Sequence, residues 1–192
     1  FGLKKGGQVS IEDLDKEVDG VDLGPLIPCL HGRIMTMEGK LHVASDIYLK
    51  DLERLNKTID EKTDGLVLIG RRHLRSNNSW MHNSQRLVKG RERCTLLIHP
   101  DDAKANHVTD GSEVTVQSRV GKVTLPAEVS DEIMPGVVSI PHGWGHKRKG
   151  VKMAVAEAHA GVSCNDLTDE NLIDQLTGNA AVNGGPVRIV LS

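Results

Sequence analysis

Glu113-Val114-Thr115-Val116-Gln117-Ser118-Arg119-Val120-Gly121-Lys122-Val123-Thr124-Leu125-Pro126-Ala127-Glu128-Val129 decides the fold class. Val114, Val116 and Ser118 alternate with Thr115 and Gln117, the period of a strand that turns one face to a core. Arg119-Val120-Gly121 turns the chain back, and Val123, Leu125 and Ala127 repeat the alternation, so a β-hairpin is predicted.

Outward from the hairpin, short apolar runs separated by turn residues continue from Gly65 to the end. Strands are predicted at Leu66–Ile69, Cys94–Ile98, Glu113–Ser118, Lys122–Val129, Val137–Ile140 and Pro186–Leu191. Short helices are predicted at Pro100–Ala105 and Asp169–Leu176, each with acids in its first turn where the helix dipole favours them. Asp110-Gly111 is a turn signal leading into the hairpin. A Rossmann sheet is excluded, because crossover units need longer helices and a GxGxxG loop, which the sequence lacks. The pattern predicts a mainly β, small closed barrel with short helices over residues 65–192.

Residues 1–64 read differently: polar and acidic, then Gly24-Pro25-Leu26-Ile27-Pro28, whose two prolines favour an extended path. Only Asp46 to Lys57 has helical spacing there, with Ile47, Leu49, Leu52 and Leu55 as a partial apolar face and Asp46 or Ser45 as cap. This segment is expected to pack on a neighbour.

Lys plus Arg number 24 and Asp plus Glu 26, a balance unlike that of a dedicated DNA-binding protein. Aromatic content of 2% leaves few platforms for stacking single-stranded bases, and the core must come from Val, Leu, Ile and Ala. Positive charge is concentrated between Gly65 and Pro100: Arg71, Arg72, Arg75, Arg86, Lys89, Arg91 and Arg93 stand there against Glu92 alone. An anionic partner is expected near that stretch. Cys29, Cys94 and Cys164 are widely spaced and odd in number, which points to a reducing, cytoplasmic setting rather than a disulfide framework. No apolar run is long enough to span a membrane, so no membrane partner is expected.

The sharpest stretch for chemistry is Gly70-Arg71-Arg72-His73-Leu74-Arg75-Ser76-Asn77-Asn78-Ser79-Trp80-Met81-His82-Asn83-Ser84. It follows an apolar strand, has little to bury, and offers guanidiniums, amides, hydroxyls and imidazoles in a row. Such a run suits an anionic, heteroatom-rich ligand, since guanidinium forks pair with phosphate and carboxamides read heterocycle edges. A second candidate is Pro141-His142-Gly143-Trp144-Gly145-His146; His142 and His146 have helical metal-pair spacing, but the glycines argue against a helix, so a glycine turn near a ligand is preferred to a metal site. In Gly161-Val162-Ser163-Cys164-Asn165-Asp166, Asn165 and Asp166 either read a purine edge or cap the next helix. Neither Ser163 nor Cys164 has an indicated base, and neither is assigned a nucleophilic role.

Taken together, these pieces resemble the C-terminal dinucleotide-binding domain of the molybdopterin oxidoreductases, the family of formate dehydrogenases, nitrate reductases and dimethyl sulfoxide reductase. The resemblance runs through Leu68-Ile69-Gly70-Arg71-Arg72, Asn78-Ser79-Trp80-Met81-His82-Asn83, His99-Pro100-Asp101-Asp102-Ala103, Val108-Thr109-Asp110-Gly111-Ser112-Glu113-Val114, Cys164-Asn165-Asp166-Leu167-Thr168 and Gly185-Pro186-Val187-Arg188-Ile189. It implies a double-psi β-barrel, similar to that of aspartate decarboxylase, closing over molybdopterin guanine dinucleotides that hold molybdenum. It further implies that Gly70, Arg71, Ser76, Asn77, Asn78, Ser79, Trp80, Met81, His82 and Asn83 line this cofactor, and that His142, Asn165 and Asp166 close its far side. Arg72 and Arg75 are phosphate partners by charge. By the same resemblance the iron–sulfur cysteines and the molybdenum ligand lie in preceding domains of a parent chain, residues 1–64 form the connecting stretch, and Phe1 is a fragment boundary. The segment orients the cofactor, and no catalytic or metal-ligating residue is assigned within it. Competing readings are a double-psi barrel acting as a protein adaptor or nucleic-acid module, and a free-standing hydrolase.

Overall fold

A computed structural model describes residues 9–59 and 65–190; Phe1 and Leu191, the latter ending the last predicted strand, lie outside them. Contacts divide the chain into two units, Phe1–Leu52 and Glu53–Ser192.

The first unit contains helices α1 (Ile11–Lys16) and α2 (Leu30–Arg33) and the start of α3 (Asp46–Ile59), none of which buries a residue. Sequence spacing predicted only α3. Its cap is Ser45, whose carbonyl accepts from the Tyr48 and Leu49 amides. The additional α1 is opened by a capping box, in which Ser10 Oγ accepts from the Asp13 amide and Asp13 Oδ2 accepts from the Ser10 amide at 3.0 Å.

The second unit is a closed barrel of six strands: β1 (Leu66–Arg71), β2 (Leu96–Ile98), β3 (Glu113–Gln117), β4 (Lys122–Val129), β5 (Val137–Pro141) and β6 (Gly185–Val190). Around the barrel they run β1-β5-β2-β4-β3-β6. The hairpin forms as predicted, with Val114 opposite Leu125 and Val116 opposite Val123. Val114, Val116, Val123, Leu125 and Ala127 all face inward, where they meet Leu68, Leu96, Ile98, Val138 and Ile140. Two of the six pairings are parallel, β1 with β5 and β2 with β4, and the rest are antiparallel. This is the double-psi barrel that the resemblance implied.

Short helices α4 (Gln85–Val88), α5 (Pro100–Ala105) and α6 (Ala154–Ala158) and a 3₁₀ turn, Cys164–Leu167, fill the connections. The helix predicted at Asp169–Leu176 does not form. Asp169 Oδ1 accepts from the Asn171 amide, and Asp174 Oδ1 accepts from the amides of Leu176 and Thr177, so these carboxylates satisfy local backbone in turns instead of opening a helix. Ile173 then bridges to Ala180. Among the described residues no helix is long and apolar enough to cross a membrane.

Candidate functional site

The parallel pairing of β1 and β5 positions the site. Parallel neighbours end on the same side of a sheet, and the register sets Arg71 opposite Pro141. The His142 amide continues the ladder by donating to the Arg71 carbonyl at 3.2 Å. The polar run after β1 and the glycine-rich run after β5, separate in sequence, therefore leave the barrel side by side.

Arg72, Asn78 and His142 meet there. Arg72 Nη1 donates to Asn78 Oδ1 and lies 2.6 Å from His142 Nε2. A guanidinium carries only donors, so His142 Nε2 accepts and the ring proton sits on Nδ1. Partial burial, and then the Arg72 charge, lower the His142 pKa and favour this neutral ring. The arrangement leaves the Asn78 amide NH₂ and the His142 Nδ1–H as donors for a ligand. Gly143 is what permits the approach: at φ +88°, a Cβ there would lie 2.0 Å from the Asn78 carbonyl oxygen.

The polar run is split by burial. Asn77 and Asn78 take left-handed backbone, φ 43° and 63°, which asparagine tolerates better than most residues. That curl leaves Trp80 84% exposed while Ser76 and His82 fold beneath. His82 is 1% exposed. Its Nε2 lies 2.9 Å from Ser76 Oγ and its Nδ1 2.8 Å from His146 Nε2, and its ring stacks on Trp144 at a centroid distance of 3.9 Å. Burial, reinforced by the neighbouring His146, pushes the His82 pKa down to about 4, so the buried ring is neutral near neutral pH. Asn83 Oδ1 accepts from the Val155 and Ala156 amides at 3.1 and 3.2 Å, holding the start of α6.

Other predicted residues are committed elsewhere. The Arg71 guanidinium turns inward, donating to the Ser139 carbonyl at 2.5 Å and to the Thr95 carbonyl and hydroxyl at 2.9 and 2.8 Å. Thr95 Oγ1 in turn donates to Glu128 Oε2, so Arg71 ties β1, β5 and the chain entering β2 to β4. The Gly70 amide donates to Asn183 Oδ1 at 2.6 Å, a partner that sequence spacing did not single out. Met81 is half-buried, and Arg75 is exposed with no ion-pair partner among the described residues. Asp166 pairs with Arg148, while Asn165 is exposed beside it. Cys94 Sγ accepts from the Val162 amide at 3.3 Å, and burial raises its thiol to about 11, which makes it inert as a nucleophile. The described residues contain no cluster of three or more His, Cys, Asp or Glu suited to a metal ion.

Sequence reading placed His146 only in a glycine turn and not beneath the polar run against His82, and it missed Asn183, Lys147 and Arg148. The run His146-Lys147-Arg148-Lys149 was the available signal, masked by the acidic balance of the chain around it.

Comparison with known proteins sets this geometry in context. The family model described as the molydopterin dinucleotide binding domain matches residues 66–186. The chain is 31% identical over 115 residues to the molybdopterin-containing subunit of the arsenate respiratory reductase of Chrysiogenes arsenatis, covering 57% of this chain and 14% of that protein. It is 25% identical over 169 residues to a probable oxidoreductase of Bacillus subtilis, covering 86% and 23% respectively. A dimethyl sulfoxide/trimethylamine N-oxide reductase of Rhodobacter capsulatus shares 41% identity over 56 residues, 29% of this chain and 7% of that one. The acetylene hydratase of Pelobacter acetylenicus superposes with a TM-score of 0.57 at 17% identity over 75% of this chain and 20% of its own, which supports the fold. The chain thus spans between 7% and 23% of the length of these curated relatives.

Proposed function

The chain belongs to the molydopterin dinucleotide binding domain family, and on that premise we propose that the end of the barrel where Arg72, Asn78 and His142 converge clasps a molybdopterin guanine dinucleotide for a larger molybdenum oxidoreductase. The convergence of these three side chains from two separate loops carries the reading.

The residues present fit such a ligand. Asn78 and His142 present hydrogen-bond donors to a heteroatom-rich ring or a phosphate, Arg75 presents an exposed guanidinium, and Trp80 presents an exposed indole face. When bound, the cofactor supplies the molybdenum centre at which the parent protein exchanges electrons or oxygen. The chain's own part is to bind and orient. Asn77, Asn78, Ser79 and Trp80, with Arg72, Arg75 and His142, form the contacting rim, while Ser76 and His82 brace it from below. Asn165 and Asp166 close the far side. Residues 1–64 serve as the connection to the other domains of that parent. A reducing, cytoplasmic location suits three free cysteines, of which Cys29 is exposed.

The test is titration of the 192-residue chain with molybdopterin guanine dinucleotide, following backbone amide resonances. Saturable shifts at residues 70–83, 142–145 and 165–166, lost in Asn78→Ala with Ser79→Ala, are expected. Shifts that survive the double substitution, or that spare residues 70–83, refute the clasp.

A further inference from the structure

Beneath the candidate site the loops after β1 and β5 are joined by a cluster of their own. Ser76 and His82 come from the first loop, Trp144 and His146 from the second, and all four are buried. His82 joins them: its Nδ1 lies 2.8 Å from His146 Nε2, its Nε2 lies 2.9 Å from Ser76 Oγ, and its ring stacks on Trp144. Trp144, the apolar member, is not part of the hydrophobic core that fills the barrel. The barrel core is therefore complete without this cluster, whereas the cluster exists only while the two loops are together.

Hydrogen-bond chemistry makes that contact sensitive to protons. Two neutral imidazoles meet with an N–H on one side of the His82–His146 bond and a lone pair on the other. A first added proton puts an uncompensated charge in a buried pair, and a second sets two N–H groups and two like charges face to face. The surroundings do not relieve this. Arg93 and His73 oppose a proton on His82, as His146 does, and the Gly143 carbonyl favours one. Among the described residues neither ring pairs with a carboxylate. Glu157 of the nearby α6 is exposed, and the segment whose Ala160 carbonyl accepts from the His146 amide carries His159.

We propose that the His82–His146 contact is an acid-released latch, which holds the two loops closed while both rings are neutral and parts them on proton uptake, with the barrel still folded. Parting the loops also separates Gly143 from Asn78 and His142 from Arg72, so the candidate site comes apart with the latch. By reciprocity, a ligand that bridges the loops opposes proton uptake. The latch rests on packing alone, whatever the loops hold.

Hydrogen exchange of the full chain at pH 7 and pH 4.5, read by nuclear magnetic resonance and corrected for intrinsic rates, measures the opening. The Trp144 indole N–H is a direct reporter, being buried without a hydrogen-bond partner. His82 titrates at about 4 when closed and near 6.5 when released, so the opening constant of residues 76–83 and 143–146 should rise about 50-fold from pH 7 to pH 4.5. At both pH values these residues should open more than about tenfold as often as the fully buried Leu96 and Val138 of the barrel, and with a weaker dependence on urea. His82→Gln should cut the rise to less than about fivefold. Ser76→Ala, which removes a hydrogen bond but no titrating group, should speed opening at both pH values and keep the rise. Loops that share the opening constant and urea slope of the barrel, a rise of less than about tenfold in the unmodified chain, or a full rise retained in His82→Gln each overturn the latch. The first two outcomes are read on the unmodified chain, so they decide the matter even where His82→Gln fails to fold.

Discussion

The buried His82 ring makes folding stability depend on pH in a window that identifies it. An imidazole titrates near 6.5 in an unfolded chain and near 4 in this fold, because burial and His146 disfavour its charge. Between those values the unfolded chain binds a proton that the folded one refuses, so stability falls as pH drops from about 6.5 to about 4 and levels off below. At pH 4.5 the loss attributable to this ring is about 2.5 kcal/mol relative to pH 7, from the ratio of the two proton-binding polynomials. For a domain of this size that corresponds to a fall of about 1 M in the urea midpoint. Carboxylates enter only at the bottom of the window: Asp169, held at about 2 by the Arg119 hydrogen bonds, starts to lose its contribution as pH falls towards 3.8, and Glu170, also lowered, does so from about 4.5. His73, His142 and His146 are also lowered and steepen the slope in the same direction, so the comparison needs His82→Gln. This variant is expected to be less stable at pH 7 and to show a shallower fall to pH 4.5. Urea unfolding at both pH values measures it, and proton resonances of the ring give the pKa directly. An imidazole of His82 titrating near 6.5 in the folded chain, or an unchanged slope in His82→Gln, refutes the reasoning.

Gly143→Ala places a Cβ against the Asn78 carbonyl at positive φ; a loss of about 2–4 kcal/mol in urea unfolding is expected, together with loss of the dinucleotide response, as the two loops are forced apart. Arg71→Met leaves the Thr95 and Ser139 carbonyls without their guanidinium donor and should cost about 2–4 kcal/mol, whereas Arg72→Met, at an exposed position, should change stability by less than about 0.5 kcal/mol while weakening ligand binding. Asn83→Ala removes the acceptor for two amides at the start of α6 and should cost about 1 kcal/mol, with faster hydrogen exchange at Val155 and Ala156 as its local signature.

The hairpin was legible because alternation in Val114, Val116, Val123, Leu125 and Ala127 reports burial directly, and the same residues are those found inside. Which strands pair was not legible, since period identifies a strand but not its neighbour. The parallel contact of β1 with β5 is long-range, and it alone explains why Arg72 meets His142. The polar run was read as uniformly facing a ligand because polarity argues for exposure. Ser76 and His82 escape that rule by satisfying each other and His146 under a tryptophan, a partnership visible only in three dimensions. The helix expected after Asp169 failed for a related reason: its acids suited a first turn, but their oxygens were taken by Arg119 and by nearby amides.

The basic window between Gly65 and Pro100 shows how charge counts mislead without partners. Arg71 is spent on Thr95 and Ser139, Arg91 faces Glu128 at 3.5 Å, and Arg93 donates to the Leu87 and Lys89 carbonyls. Arg72 is held by Asn78 and His142. A nucleic-acid stripe works by releasing counterions from many free cations in a row, and here four of the seven, Arg71, Arg72, Arg91 and Arg93, are already held by neighbouring protein groups. The positive charge that remains, on Arg75, Arg86 and Lys89, is sparse and lies on the one stretch that leaves β1 beside the loop after β5. That suits a small ligand held at a few fixed points better than a polymer tracked along a surface. The barrel thus uses several arginines to lock its own strands, and by doing so holds rigid the few polar groups that face outward.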